Sequence, residues 1–218
     1  MSVFSKILQY FRKVFHWRPR PVEKLCTAFQ SYGMDAHIEP NPCEEMKIGA
    51  DRRRTVNLLP FYIGWSSSYG GSAGLVRLGT GPIRWINILV YQSFSNDPLG
   101  IWYVFGIPDD KIRKLGIPAI RLQTIGVKKF PWLGEVIAIN WTGNDFGTGL
   151  IERLKNLPLV NMAIIESHHR EIDADIEVSV EPIVGCWTIT TKKIPTNQLW
   201  ESYQSLANEL LATTLSYG

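Results

Sequence analysis

The chain is poor in cysteine and contains no long apolar run. Its 218 residues include three cysteines, Cys26, Cys43 and Cys186, which are widely spaced and form no Cys-x-x-Cys pair. An odd number of scattered cysteines argues against a disulfide framework and against a structural zinc site. No stretch reaches the roughly 18–20 consecutive apolar residues of a membrane-spanning helix. We therefore expect free thiols and a cytoplasmic location.

Complete catalytic motifs are also missing. Gly70–Gly74 matches Gly-x-Ser-x-Gly, but the residues after it read as a strand, whereas the nucleophile elbow of a serine hydrolase leads into a helix. The glycines near Gly79 lack the third glycine of a dinucleotide fingerprint, and no Gly-Lys-Ser/Thr follows to bind phosphate. We therefore predict a hairpin loop over 66–73, expect no cofactor, and favour a protein that is not an enzyme.

The patterns that are present predict an α+β fold. Segments rich in β-branched and aromatic residues, separated by turn residues, predict strands near 54–65, 74–79, 83–94, 101–107, 118–127, 134–141, 172–182 and 185–193. Helical spacing or capping predicts helices after Pro21, over 108–115, over 148–156, within 159–168 and from Thr196 onward. Because strands are grouped instead of alternating with helices, we expect one domain over 21–218. Its mainly antiparallel sheet would carry an N-terminal and a C-terminal amphipathic helix packed on it.

The first twenty residues form a basic arm that differs from the rest of the chain. They carry five basic side chains and no acidic one, while the whole chain has 23 basic and 20 acidic residues. Without this arm the chain has 18 basic and 20 acidic residues, so the net charge changes from +3 to −2. Spacings of three and four predict an amphipathic helix, followed by the extended Arg18-Pro19-Arg20-Pro21 spacer. The predicted docking residues are Phe4, Ile7, Leu8, Phe11, Phe15 and Trp17 with the basic Lys6, Arg12 and Lys13.

Three interpretations of this arm stay open on the sequence. It could lie in an anionic membrane surface, pack on protein (its own domain or a partner subunit), or act as an organellar import signal. Packing on protein and membrane binding are favoured over import. The preferred function is a binding or adaptor protein that docks through residues 1–20, peripheral to a membrane or on a partner. Its oligomeric state is open.

A dense polar cluster over 166–177 motivates the alternative function. His168 and His169 are adjacent, and Asp173, Asp175 and Glu177 would share one face of a strand, where carboxylates can bind a divalent cation together. These residues predict a metal-dependent hydrolase or nuclease. The favoured interpretation is simpler, because outward acids alternating with inward Ile or Val are typical of a strand with one wet face. No other metal site is predicted. Asp51–Arg54 is a basic patch, but the slightly acidic body makes nucleic acid a disfavoured partner.

Overall fold

The computed structural model describes residues 21–40, 69–92, 100–130, 134–167, 176–192 and 194–216. Within these ranges the chain forms eight strands and five helices, which confirms the prediction of a mixed helix and strand fold with an antiparallel sheet. The predicted strand near 54–65 and the N-terminal arm lie outside the described residues. The strands are β1 (Ala36–Ile38), β2 (Tyr69–Leu78), β3 (Trp85–Gln92), β4 (Gly100–Pro108), β5 (Arg121–Lys128), β6 (Val136–Asn144), β7 (Glu177–Glu181) and β8 (Cys186–Thr191). The helices are α1 (Pro21–Ser31), α2 (Asp110–Leu115), α3 (Leu150–Lys155), α4 (Pro158–Ser167) and α5 (Asn197–Leu215).

All eight strands belong to one sheet, in the order β1-β2-β3-β4-β8-β7-β5-β6. Every neighbouring pair is antiparallel. The first four strands follow one another in space as they do in sequence. The β7–β8 hairpin then lies between β4 and the β5–β6 hairpin, so β6 ends the sheet opposite β1.

One face of the sheet, called the first face below, carries the main core. Side chains of all five described helices share one buried cluster with alternate residues of the strands. Aromatic rings join α1, α5 and the sheet: the ring centroids lie 4.7 Å apart for Phe29 and Trp200, and 5.2 Å apart for Phe105 and Tyr203. A hydrogen bond from Trp187 Nε1 to Thr214 Oγ1, 2.9 Å long, ties β8 to the end of α5. These contacts link α1, α5, β4 and β8 within the described residues.

The helix boundaries follow local chemistry. Helix α1 begins at Pro21, where the missing N–H has no intrahelical partner to lose. Helix α5 begins after Thr196, whose hydroxyl accepts a hydrogen bond from Leu199 N at 3.3 Å, as a helix cap should. Helix α2 ends before Gly116, which adopts a left-handed conformation with φ 63°. These three boundaries agree with the sequence predictions.

The observed strands differ from the predicted ones in two places. β2 begins at Tyr69, so the segment that we expected to be a loop before residue 74 is largely strand. Its glycines pair with β3, with Gly70 opposite Tyr91 and Gly71 opposite Val90, and this pairing outweighs the low strand propensity of glycine. β1 was not predicted at all. Its three residues are extended because they pair with β2.

Candidate functional site

The Gly-x-Ser-x-Gly sequence lies inside β2. Ser72 is opposite Leu89 of β3, and a β-bulge separates it from Gly74. Gly74 has φ 145°, and a Cβ placed there would lie about 3.0 Å from side-chain atoms of Val22 on α1. The glycine thus serves a bulge and the close approach of α1. A nucleophile elbow needs a sharp turn from strand into helix, so this segment is not one.

The described part of the 166–177 cluster is engaged in polar contacts. Glu166 Oε2 accepts a hydrogen bond from Gln198 Nε2 at 3.0 Å. Glu177 Oε2 lies 2.8 Å from the Arg121 guanidinium in an ion pair across β7 and β5. The other predicted residues of this cluster, His168, His169, Asp173 and Asp175, lie outside the described residues. Across the described ranges, no group of three or more His, Cys, Asp or Glu side chains could hold a metal ion.

The docking residues predicted in the arm, from Phe4 to Trp17, also lie outside the described residues. What the structure places is the point where the arm joins the domain. Val22, the second residue of α1, is buried against Gly74 of β2. The first described residues of the chain therefore lie on the first face, near the β1 and β2 end of the sheet.

The opposite face of the sheet, called the second face below, carries a second apolar cluster that sequence reasoning missed. Leu75, Trp85, Leu89, Val104 and Cys186 are all buried there, on β2, β3, β4 and β8. Trp85 lies directly across Gly106 of the neighbouring strand, where a Cβ would collide with the indole ring. Nearby, Lys192 Nζ lies 4.8 Å from the centre of the Trp102 ring, within cation–π range. The sheet is thus apolar on both faces at its centre.

Buried polar side chains lie on the same face of the sheet as this second cluster. Asn87 of β3 and Thr188 of β8 are fully buried, and Thr190 of β8 is 7% exposed. The Ser179 and Thr188 hydroxyl oxygens lie 2.8 Å apart in a hydrogen bond. The Thr190 Oγ1 atom has no hydrogen-bond partner among the described residues. Amide and hydroxyl groups of this kind supply hydrogen bonds, not an acid and base that exchange protons near neutral pH.

Large apolar side chains are exposed towards β5 and β6. Ile125 is 49% exposed on β5, Ile137 is 56% exposed on β6, and Phe130 in the turn between them is 61% exposed. One hairpin thus exposes three large apolar side chains. A sequence signal was present, since Ile125 and Ile137 lie in strands, but alternation alone does not show which face is covered.

Burial sets the protonation of the few ionisable groups inside the domain. Burial raises the pKa of the Cys26 thiol, whose Sγ donates to the Ala36 carbonyl at 3.4 Å, so this cysteine is held as an inert thiol. Burial also raises the pKa values of Tyr103 and Tyr203. Both phenols therefore stay neutral at physiological pH and act as core side chains.

The arrangement defines a class of protein by architecture alone: a mixed helix and strand fold that has, among the described residues, one eight-stranded antiparallel sheet and five helices. Comparisons with protein-family models, with curated proteins and with solved structures found no match to this chain. Among the described residues, no helix is both long enough and apolar enough to cross a membrane.

Proposed function

We propose that this chain is a non-enzymatic binding or adaptor protein that docks through residues 1–20 on a membrane surface or a partner subunit. The observation that carries the proposal is the charge partition: five basic residues and no acid in the arm, against a net charge of −2 for the remainder. A charge excess confined to one amphipathic segment is typical of a segment that binds a surface of opposite charge.

The energetics of the arm require such a surface. A helix of about 14 residues is marginal alone in water, because few hydrogen bonds offset the cost of nucleation. Each of its six main apolar side chains would contribute roughly 1.5–3 kcal/mol if fully buried, and less at an interface. Each basic side chain adds about 1 kcal/mol near an anionic membrane. Docking would therefore be substantial but reversible.

The domain supports the proposal by offering a rigid base for the arm. Helix α1 follows the arm directly and is anchored by Leu25 and Phe29, both fully buried. Phe29 contacts Trp200 of α5, so α1 is also held against the C-terminal helix. Packing of both terminal helices on the sheet is part of this proposal: α5 would complete the core, and the arm would continue from α1 to the docking surface.

Vesicle sedimentation tests the membrane form of the proposal. The full chain is compared with the Phe11→Ser/Phe15→Ser variant on vesicles of phosphatidylcholine with 30% phosphatidylserine. We expect the variant to lose at least about tenfold in partitioning, because two apolar anchors are removed. A matched control, Ser5→Ala/Gln9→Ala on the polar side of the predicted helix, should bind like the native chain.

The partner form of the proposal is tested on the same variants. Complexes recovered with the native chain should contain a stoichiometric partner that the Phe11→Ser/Phe15→Ser variant loses and the Ser5→Ala/Gln9→Ala control keeps. If the two variants behave identically on vesicles and in complexes, residues 1–20 are not a docking segment and the proposal is lost.

A thermal-shift screen separates this proposal from the metal-dependent hydrolase. The full chain, Asp173→Ala and His168→Ala are heated with Mg²⁺, Mn²⁺ or Zn²⁺. A binding protein should show no metal-dependent rise in unfolding temperature that the two substitutions remove. A rise of several degrees that disappears in both variants would favour the hydrolase, because a bound ion stabilises the folded state by mass action.

A further inference from the structure

Strand β6 is one edge of the sheet. Among the described strands its single neighbour is β5, and it runs for nine residues, Val136–Asn144. The other edge, β1, has only three residues and is followed by Glu39, which forms an ion pair with Arg77 of β2. Natural sheets protect their edges by short length, charge or proline. β1 is short and lies beside that ion pair, whereas β6 is long and contains neither a charged residue nor a proline.

The hydrogen bonds of β5 show which backbone groups of β6 face outward. Thr124 N donates to Ile176 O at 3.0 Å, so Thr124 directs its backbone groups towards β7. Because backbone groups alternate along a strand, Gln123 and Ile125 direct theirs towards β6. They lie opposite Thr142 and Asn140. Thr142 and Asn140 therefore bond to β5.

The remaining residues of β6 then point away from the sheet. These are Ile139, Trp141 and Gly143, whose N–H and C=O groups face no second strand among the described residues. The side chains of Ile139 and Trp141 are nevertheless buried on the first face, where they are 8% and 2% exposed. A β-bulge at Ile137 breaks the regular register at the start of β6. The pairing surface is therefore the stretch from Ala138 to Gly143.

We propose that this edge pairs with an extended segment of a protein partner, which adds a ninth strand next to β6. Recognition of this kind takes its affinity from main-chain hydrogen bonds and its specificity from alternate side chains. On the first face the partner would meet the margin of the core beside Ile139 and Trp141, so it needs apolar side chains there. On the second face it would lie beside Ala138, Asn140 and Thr142, where β-branched polar residues fit.

Charge complementarity specifies the ends of the partner segment. Glu135 comes directly before β6 and Asp145 directly after it, so an acidic residue stands at each end of the uncharged strand. A partner strand in either direction would place its two ends near these carboxylates. The segment should therefore carry a basic residue at each end.

The same charges disfavour one register of pairing between two copies of this chain. In an antiparallel pair of β6 strands that matches Ile139 with Trp141, Glu135 of each copy would stand opposite Asp145 of the other. Like charges opposite each other destabilise a strand pair. The occupant that fits the edge is a foreign strand with basic ends.

The first test is amide hydrogen exchange on the full chain by NMR. In the free protein, the amides of Ala138, Asn140 and Thr142 should exchange at least about tenfold more slowly than those of Ile139, Trp141 and Gly143. Protection of Ile139 and Trp141 in the free protein would overturn the proposal, since the edge would already be occupied.

The second test adds a probe peptide, acetyl-KTVTVTK-amide, which has basic ends and alternating valine and threonine. Saturating peptide should slow exchange at Ile139, Trp141 and Gly143 at least about tenfold. N-methylation of both valines removes the donors that face β6 and should abolish binding. The matched control, N-methylation of the outer two threonines, leaves those donors intact and should bind. Failure of the probe to bind, or equal binding of both methylated peptides, overturns the proposal.

The third test addresses the charges. Asp145→Asn removes the charge and keeps an amide oxygen that can accept the turn hydrogen bond from Gly147 N, but it loses the longer hydrogen bond that Asp145 Oδ2 accepts from Ile151 N at 3.4 Å. Combined with Glu135→Gln, it should weaken the probe roughly threefold to tenfold at low salt, while Asp110→Asn on α2 should not. An ETVTVTE peptide should bind more weakly than the probe. The native chain and the double variant are each measured with both peptides. If these four affinities are equal, the edge does not select basic ends and the proposal is overturned. A shift to dimers in sedimentation would instead identify a second copy of the chain as the occupant.

Discussion

Gly106 supports the second apolar cluster through its lack of a side chain, and this can be tested by adding one methyl group. The glycine lies on β4 opposite Trp85 of β3, and a Cβ at residue 106 would overlap the Cε2 and Cζ2 atoms of the indole. Trp85 is only 4% exposed, so its ring has little room to move. Gly106→Ala should therefore force the indole out of its site and disturb the cluster around Val104 and Cys186.

The magnitude follows from two opposing effects. Overpacking of a buried site costs about 1–3 kcal/mol. Alanine in place of glycine in a strand returns about 0.5–1 kcal/mol, because it lowers the entropy of the unfolded chain. Gly106→Ala should therefore lower the free energy of unfolding by about 1–2 kcal/mol. In a Trp85→Leu background the collision is absent, and the same change should be neutral or slightly stabilising.

Urea unfolding of the full chain, followed by far-ultraviolet circular dichroism, measures all four proteins of this cycle. We expect a coupling energy of about 1–3 kcal/mol between residues 85 and 106, because the gain from alanine is common to both backgrounds and only the overpacking cost differs. Gly116→Ala is the matched control: its φ of 63° strains alanine, but no atom lies within 4 Å of the added methyl group. Its cost should add to that of Trp85→Leu. If Gly106→Ala costs the same with and without the indole, the steric argument is refuted.

Two further predictions concern the buried polar groups of the first face. Burial raises the pKa of Tyr203 above its ordinary value of 10.0. The unfolded chain therefore releases this proton first, and stability present below pH 10 should be lost at up to about 1.4 kcal/mol per pH unit as the pH rises above 10. Tyr203→Phe should reduce that slope in urea midpoints measured from pH 8 to 11, and an unchanged slope would contradict the assignment. Thr214→Val leaves the fully buried Trp187 N–H without its hydroxyl acceptor and should cost about 1–3 kcal/mol in urea unfolding, whereas Thr214→Ser, which keeps the acceptor, should cost less.

Local structure with a strong periodic signal could be predicted from the sequence. α5 has its apolar stripe at helical spacing, and residues such as Leu199, Tyr203 and Leu206 are buried as that stripe requires. The end of α2 was marked by Gly116, because a left-handed position favours glycine. In β7, Val178 and Val180 are buried as the alternation predicts, but Ser179 between them is buried as well. In each case the information lies within a few residues of the element.

What could not be predicted depends on distant pairing. The residues of β1 carry no strand signal of their own and become a strand only against β2. β8 lies beside β4 although some 80 residues separate them in the chain, and no local pattern encodes that neighbour. The second apolar cluster was not predicted, for the same reason. The run from Trp85 to Val90 is typical of a buried strand, but the burial of Asn87 depends on what covers the second face.

Val22 and the β6 edge lie far apart on the sheet, and this separation allows a test that involves both proposals. Val22 lies against Gly74 of β2, and β6 is an edge of the sheet among the described strands. With strands about 4.8 Å apart, β2 and β6 are separated by six spacings, or roughly 29 Å along the sheet. The proposed adaptor would bind one ligand through residues 1–20 and the other through β6. We therefore expect β6-edge variants to leave vesicle or partner binding by the arm unchanged, and a change in that binding would contradict the proposal of two separate docking surfaces.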